Sequence, residues 1–398
     1  MIQSRDDVWL HRFAYALAVA TLFLVALGGV VTTKGVGMAV PDWPQTYGEH
    51  MFLFPFSKWV SGVFFEHSHR LWAALIGLFS GIFAIWTWSR ATSGVQRWAG
   101  VSAMVLVLAL LGVRHQPGLF VGMAVISMVV LIWAAIQAAR THDRLRWLAL
   151  IAFAAVIIQG VLGGLRVLLD KDWGTILGIC HAAFAQLFFL LTGSLVVLTS
   201  QWWRNARPSL SGMTLLRGVM LFTTAVIFLQ LIFGAVMRHQ HAGLAVTTLP
   251  LAYGKVWPAT DAASVTLYNQ QRMEASGEEP ITPAHVVVHM LHRYTAIVIV
   301  ALIIVAAVLA LRRANENSLV RRMALAWLAL VLLQGTLGIL TITSDRKVDV
   351  TTAHVAVGAL TFLVGWLSFL VSSRTTNESE AVASNEVFSP KGAELKHA

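Results

Sequence analysis

Two short stretches of the chain carry the residues best suited to chemistry, and they match each other. Glu66-His67-Ser68-His69-Arg70 aligns with His289-Met290-Leu291-His292-Arg293, so that His69 falls on His292, Arg70 on Arg293 and Glu66 on His289. Each stretch stands at the start of a long apolar run. Ionisable residues are costly in a bilayer, and function is their default explanation there. Two further histidines, His181 and His354, head later apolar runs. Neutral imidazole is a common metal ligand and the usual protein ligand of haem iron. Two histidines facing across a four-helix bundle can hold a haem in its core. A small metal ion would want a third or fourth ligand, for which the first stretch offers only His67 and Glu66. Taken singly, each histidine is better read as an interfacial polar residue. Four of them at matched positions favour ligation.

The elements that must position them are membrane helices. The chain is 57% hydrophobic and 12% charged, which excludes a soluble domain, and its apolar runs have the length of about 20 residues needed to cross the hydrocarbon core. Ten helices are predicted, over 13–33, 58–88, 97–113, 118–139, 146–168, 175–200, 214–237, 285–311, 320–343 and 350–373. Arg114 to Gly118 reads as a tight hairpin between the third and fourth. The net charge of +10 does not point to nucleic acid, because the lysines and arginines sit in short loops. With the N-terminus inside, more than half of the 29 fall on the inner side, so both termini are expected in the cytoplasm. The single cysteine, Cys180, excludes an internal disulfide and a cysteine metal site. No cleavable signal peptide is expected, since the first apolar run leads straight into the repeated unit. The polar segment 374–398 reads as a disordered cytoplasmic tail.

The repeat extends beyond the histidines. Residues 33–48 align without gaps on 239–254, with Gly37, Ala39, Val40, Pro44, Tyr47 and Gly48 recurring. Gln159-Gly160-Val161-Leu162-Gly163 recurs as Gln334-Gly335-Thr336-Leu337-Gly338, and His181 as His354. The order is the same in both copies and both start inside, so the halves are related by an axis along the membrane normal. His69 and His181 lie 112 residues apart, His292 and His354 only 62. The surplus accommodates the third and fourth helices as an insertion. The expected architecture is an all-α bundle of two parallel-related four-helix halves plus two inserted helices. Its units are 1–205, 206–373 and the tail.

Glu66 is the sharpest single residue. It precedes His69 by three positions and so shares its helix face. A carboxylate there could exchange a proton or stabilise developing positive charge; it could also be an acid favoured by a helix N-terminus. His289 cannot supply that negative charge, so the first half is the better candidate for chemistry and the second for a permanent cofactor. Arg70 and Arg293 could pair with haem propionates or snorkel to headgroups. Gly160 and Gly164 suit close helix packing, and a flat macrocycle against that face is compatible with it. His11, His142 and His397 are expected to be solvated on the inner side, while His50, His67, His115, His239, His241 and His285 belong to outer loops or the interface.

With Gly28-Gly29, Pro41-Asp42-Trp43-Pro44, Glu66-x-x-His69-Arg70, the Gln-Gly segment with His181, His292-Arg293 and His354 all in order, the chain resembles the heme A synthase family over nearly all of 10–373. The resemblance implies an oxidoreductase that converts haem O to haem A for haem-copper oxidases. One methyl group is hydroxylated twice, and the resulting diol loses water to leave a formyl group. It also implies that His69 and His181 bind the substrate haem, that His292 and His354 ligate a resident haem b, and that Glu66 is the essential carboxylate. The implied setting is the inner (cytoplasmic) membrane, with haem O synthase and an unidentified electron donor as partners. Cysteine pairs found in the outer loops of many members are missing here, and the two inserted helices depart from an eight-helix plan. They are candidates for homo-oligomerisation or partner docking. Two other readings compete: a diheme electron carrier of quinol-linked cytochrome b type, and a transporter, disfavoured because the polar residues sit at helix mouths rather than at the midplane.

Overall fold

The computed structural model describes residues 5–112, 116–140, 143–208, 213–276, 280–314 and 318–375. Its helices in chain order are α1 (Arg5–Thr33), α2 (Ser61–Ala91), α3 (Gly94–Gly112), α4 (Pro117–Arg140), α5 (Arg144–Leu168), α6 (Asp170–Thr199), α7 (Gln201–Asn205), α8 (Thr214–His239), α9 (Ala262–Ser276), α10 (Pro283–Arg313), α11 (Leu319–Thr343) and α12 (Val348–Val371). Among the described residues, ten of these are long and apolar enough to span a bilayer. They turn apolar side chains such as Phe23, Ile132, Phe222, Ile297 and Leu332 outward, as lipid requires. The chain is a multi-pass membrane protein.

Each span predicted from the sequence has its helix. The largest boundary differences are at α1, which begins at Arg5 rather than at 13, and at α6, which begins at Asp170, directly after α5, because Asp170 and Asp172 occupy its first turn, where acidic side chains complement the helix dipole. Helix α9, of mixed polarity, escaped prediction. It is too polar to read as a span, and it is held by Val265 and Tyr268, which bury against Val246, Ala252 and Ile281. Helix starts carry side-chain caps where the sequence supplies them: Thr282 accepts from His285 N ahead of Pro283, and Ser318 accepts from Arg321 N.

The spans form two closed rings. In one, α1 packs on α2, α2 on α5, α5 on α6 and α6 on α1. In the other, α8, α10, α11 and α12 follow the same cycle. The rings meet where α1 lies on α12 and α6 on both α8 and α12. Helices α3 and α4 pair with each other outside the first ring, against α2 and α5. One core fills each ring, with Leu17, Ile76, Phe83 and Phe188 in the first and Met220, Ile303, Trp327 and Phe362 in the second.

At the end of the bundle away from the four histidines, β1 (Arg207–Pro208) pairs antiparallel with β2 (Arg374–Thr375). His11 lies at this end as predicted but is not simply solvated: it is half-buried, and its Nδ1 sits 3.0 Å from Thr199 Oγ1. The side chains of His115, His142 and His397, the 114–115 hairpin tip, Lys391, Lys396 and the tail from 376 fall outside the described residues.

At the histidine end, two loops fold alike. Tyr47-Gly48 and Tyr253-Gly254 both take left-handed turns, with φ of 51°, 75°, 50° and 78° in that order. The tyrosines tolerate this because their hydroxyls donate to Ala39 O and Ala245 O respectively. Asp42 and Thr248, at matched positions, each accept the turn tyrosine's backbone N–H. Trp43-Pro44 and Leu249-Pro250 are both cis.

Candidate functional site

His69 lies in the third turn of α2, and His292 in the third turn of α10. His181 and His354 lie on α6 and α12. Every one of these rings rests against a glycine of a neighbouring helix. A Cβ added at Gly28 would lie 3.2 Å from His69 Cε1, at Gly163 2.9 Å from His181, at Gly234 3.5 Å from His292 and at Gly338 3.2 Å from His354. The four glycines occupy repeat-matched positions. They let the Cε1 edge of each imidazole approach a helix backbone, and Nδ1 of all four rings is buried without a partner. Buried polar atoms are normally hydrogen-bonded, so these four nitrogens are open to a ligand.

The glutamines of the two Gln-Gly segments support the second histidine of each pair. Gln159 Nε2 lies 3.2 Å from His181 Nε2 and donates to His181 O at 3.0 Å; Gln334 Nε2 lies 3.4 Å from His354 Nε2. The His292 and His354 ring centroids are 6.5 Å apart. Paired imidazoles that keep a buried ring nitrogen without a partner are the donors that haem iron takes, so these residues would fit a haem. Gly160 has open space beside it, whereas Gly164 packs on Trp43. Of the two glycines singled out in the sequence, one therefore faces free volume and the other anchors a loop.

Arg70 and Arg293 grip the matched loops. Arg70 Nη2 donates to Val40 O at 2.7 Å and Nη1 to Asp42 O at 2.6 Å. Arg293 repeats both bonds, to Val246 O at 2.7 Å and Thr248 O at 3.0 Å. Here the copies diverge. Arg70 Nη2 also meets Glu66 Oε1 at 2.6 Å, while Glu66 Oε2 accepts from Val40 N at 2.8 Å. In the second loop, His289 Nδ1 lies 3.3 Å from Ala242 O instead. Both residues are buried, so one loop is pinned over a carboxylate and the other over an imidazole. His67 turns away, with Nδ1 3.2 Å from Thr46 Oγ1 and its ring against Phe54 and Trp59.

The first half encloses a cavity of about 660 Å³, within the usual range of small-molecule and cofactor sites. Glu66, His69, Arg70 and His181 line it, as do Gly28, Gly160 and Gly163. So do Leu108 and Leu111 of α3 and Phe120 of α4, which makes the inserted pair part of the wall. Sequence reasoning missed two lining cations, Arg166 near the end of α5 and Arg238 at the end of α8, and the neighbouring His239. The available signal was Arg166 itself, an ionisable residue inside an apolar run. Its direction could not be read without the packing.

Residues 116–365, which include His181, His292 and His354, match the COX15-CtaA family, described as cytochrome oxidase assembly protein. The chain belongs to this family. Curated relatives include the Heme A synthase of Geobacillus kaustophilus (strain HTA426), 26% identical over 373 residues that span 91% of this chain and 90% of that protein. The Heme A synthase of Shouchella clausii (strain KSM-K16) is 24% identical over 268 residues, 66% of this chain and 70% of that one. The Heme A synthase of Symbiobacterium thermophilum is 31% identical over 142 residues, 33% of this chain and 44% of that one.

Proposed function

We propose that this COX15-CtaA protein is a heme A synthase, a haem-dependent membrane oxidoreductase of haem A biosynthesis. The observation that carries the reading is the divergence between two otherwise matched loops, Glu66 held beside the cavity in one and His289 in the other. In this reading His69 and His181 hold the substrate, haem O, in the first half (1–205). His292 and His354 hold a resident haem b in the second (206–373). When bound, haem b supplies a one-electron relay to the substrate site. In each of two hydroxylations a methyl C–H would become C–OH with one oxygen atom of dioxygen, the other leaving as water with two electrons from the donor and two protons, and the diol would then lose water to give the formyl group.

Glu66 has both oxygens occupied by fixed donors, Val40 N and Arg70. That makes it a placed negative charge, suited to stabilising positive charge that develops at the methyl carbon. Gln159 and Gln334 orient the imidazoles, and α3 and α4 close the cavity from outside. The membrane would be the inner (cytoplasmic) membrane with the histidine end outward, haem O would come from haem O synthase, and a separate donor would supply electrons.

Co-expression with haem O synthase, followed by extraction and chromatography of the haems, tests this. Haem A or hydroxylated haem O is the expected product. Haem B alone, with haem O supplied, overturns the reading in favour of a diheme electron carrier.

A further inference from the structure

The cavity carries positive charge that the protein does not neutralise. Arg166 and Arg238 both line it, and each has its Nε buried without a partner. Their remaining contacts are long and made to neutral carbonyls: Arg166 Nη1 to Gly37 O at 3.3 Å, and Arg238 Nη2 to Gly28 O at 3.4 Å and Gly29 O at 3.3 Å. The last two carbonyls already accept from Thr32 and Thr33 at 2.8 Å. The C-terminal end of α1 contributes only about half a negative charge against two full positive ones. Glu66 is the one carboxylate lining the cavity among the described residues, and it is committed to Arg70. Arg166 is within electrostatic reach of Arg238, His69 and His181, so the two cations repel each other beside the imidazole pair. Buried, uncompensated charge of this kind is expensive, and its form calls for two carboxylates, which guanidinium groups bind by parallel hydrogen bonds.

We propose that Arg166 and Arg238 form a carboxylate-binding subsite that takes the two propionates of the substrate macrocycle. This rests on the reading of the first half as the haem O site. It also makes that site a joint construction, because Arg238 belongs to α8 of the second ring. Arg70 and Arg293, whose Nη groups serve the loops, are left out of this role. Gly37 gives the guanidinium its present place, since a Cβ there would fall 2.9 Å from Arg166 Nη1.

The test uses the full-length protein, purified with its resident haem, and reads binding rather than turnover. Haem O and its dimethyl ester are titrated separately and followed by absorbance difference spectra. The wild type should bind the free acid about 10- to 100-fold more tightly than the ester, as expected for charge-assisted hydrogen bonds. Arg238→Gln and Arg166→Gln should each shrink that ratio towards unity, while Arg238→Lys should keep most of it. Resident haem per protein reports that each variant is folded. Equal affinity of the wild type for acid and ester overturns the proposal and assigns the cations to another anion, such as a lipid phosphate. Variants that weaken both forms equally also overturn it, by showing a merely structural role. If neither form binds while the resident haem is present, the underlying haem O reading fails, and the subsite with it.

Discussion

Arg70 and Glu66, one helical turn apart on α2, form a 2.6 Å ion pair whose arginine is also bonded to three carbonyls of the loop above. The carboxylate is thus positioned by loop and helix together. Glu66→Gln keeps an oxygen for Val40 N and leaves Arg70 its carbonyls, so the fold should lose only about 1–2 kcal/mol. Product should vanish while resident haem is retained. Chromatography of extracted haems from the variant checks this, and haem A at wild-type yield would remove Glu66 from the chemistry.

The two loop clamps should differ in weight. Arg70→Ala strands a buried carboxylate, at a cost of about 3–5 kcal/mol. Arg293→Ala abandons only neutral carbonyls, at about 1–3 kcal/mol. Thermal unfolding in detergent should therefore give Arg70→Ala the lower Tm, and the gap should narrow in the Glu66→Gln background. A gap that persists unchanged there would contradict the ion-pair account.

Haem content should divide by half. His292→Ala or His354→Ala should remove the haem that co-purifies with the protein, and His69→Ala or His181→Ala should spare it while abolishing conversion. Haemochrome assay of the purified variants decides the matter. Loss of co-purifying haem in His69→Ala would place the resident cofactor in the wrong half.

The glycine cradles rank themselves. Gly163→Ala puts a methyl 2.9 Å from His181, while Gly234→Ala makes an ordinary 3.5 Å contact with His292. Gly163→Ala should perturb binding of the substrate haem strongly, and Gly234→Ala should leave the spectrum of the resident haem nearly unchanged. The reverse ranking would mean that the rings do not keep these positions when loaded.

All ten spans were legible in the sequence because each carries a long apolar run bounded by charges or turn residues. The matched histidines were legible because two copies in the same order cannot be mistaken for isolated interfacial polar groups. Arg166 and Arg238 were not. A cation near a helix end reads the same whether it faces lipid headgroups or a cavity, and only packing α5 and α8 around the first ring turns both inward. The direction of Arg70 escaped for a related reason: its partners lie 25 to 30 residues away in a loop with no periodicity to read. The helix α9 escaped because helical sequences of mixed polarity carry little signal until something covers them.

The inserted helices leave the two halves unequal in their freedom to change. Leu108, Leu111 and Phe120 face the first cavity from outside the ring that holds its histidines, and Phe120 packs edge-on to Trp43 with centroids 4.7 Å apart. A wall supplied by an added hairpin can be recut over evolutionary time without disturbing the ligands or the carboxylate. The first chamber can in this way adjust to the shape of its guest, whereas the second ring has, among the described residues, no such added hairpin against it.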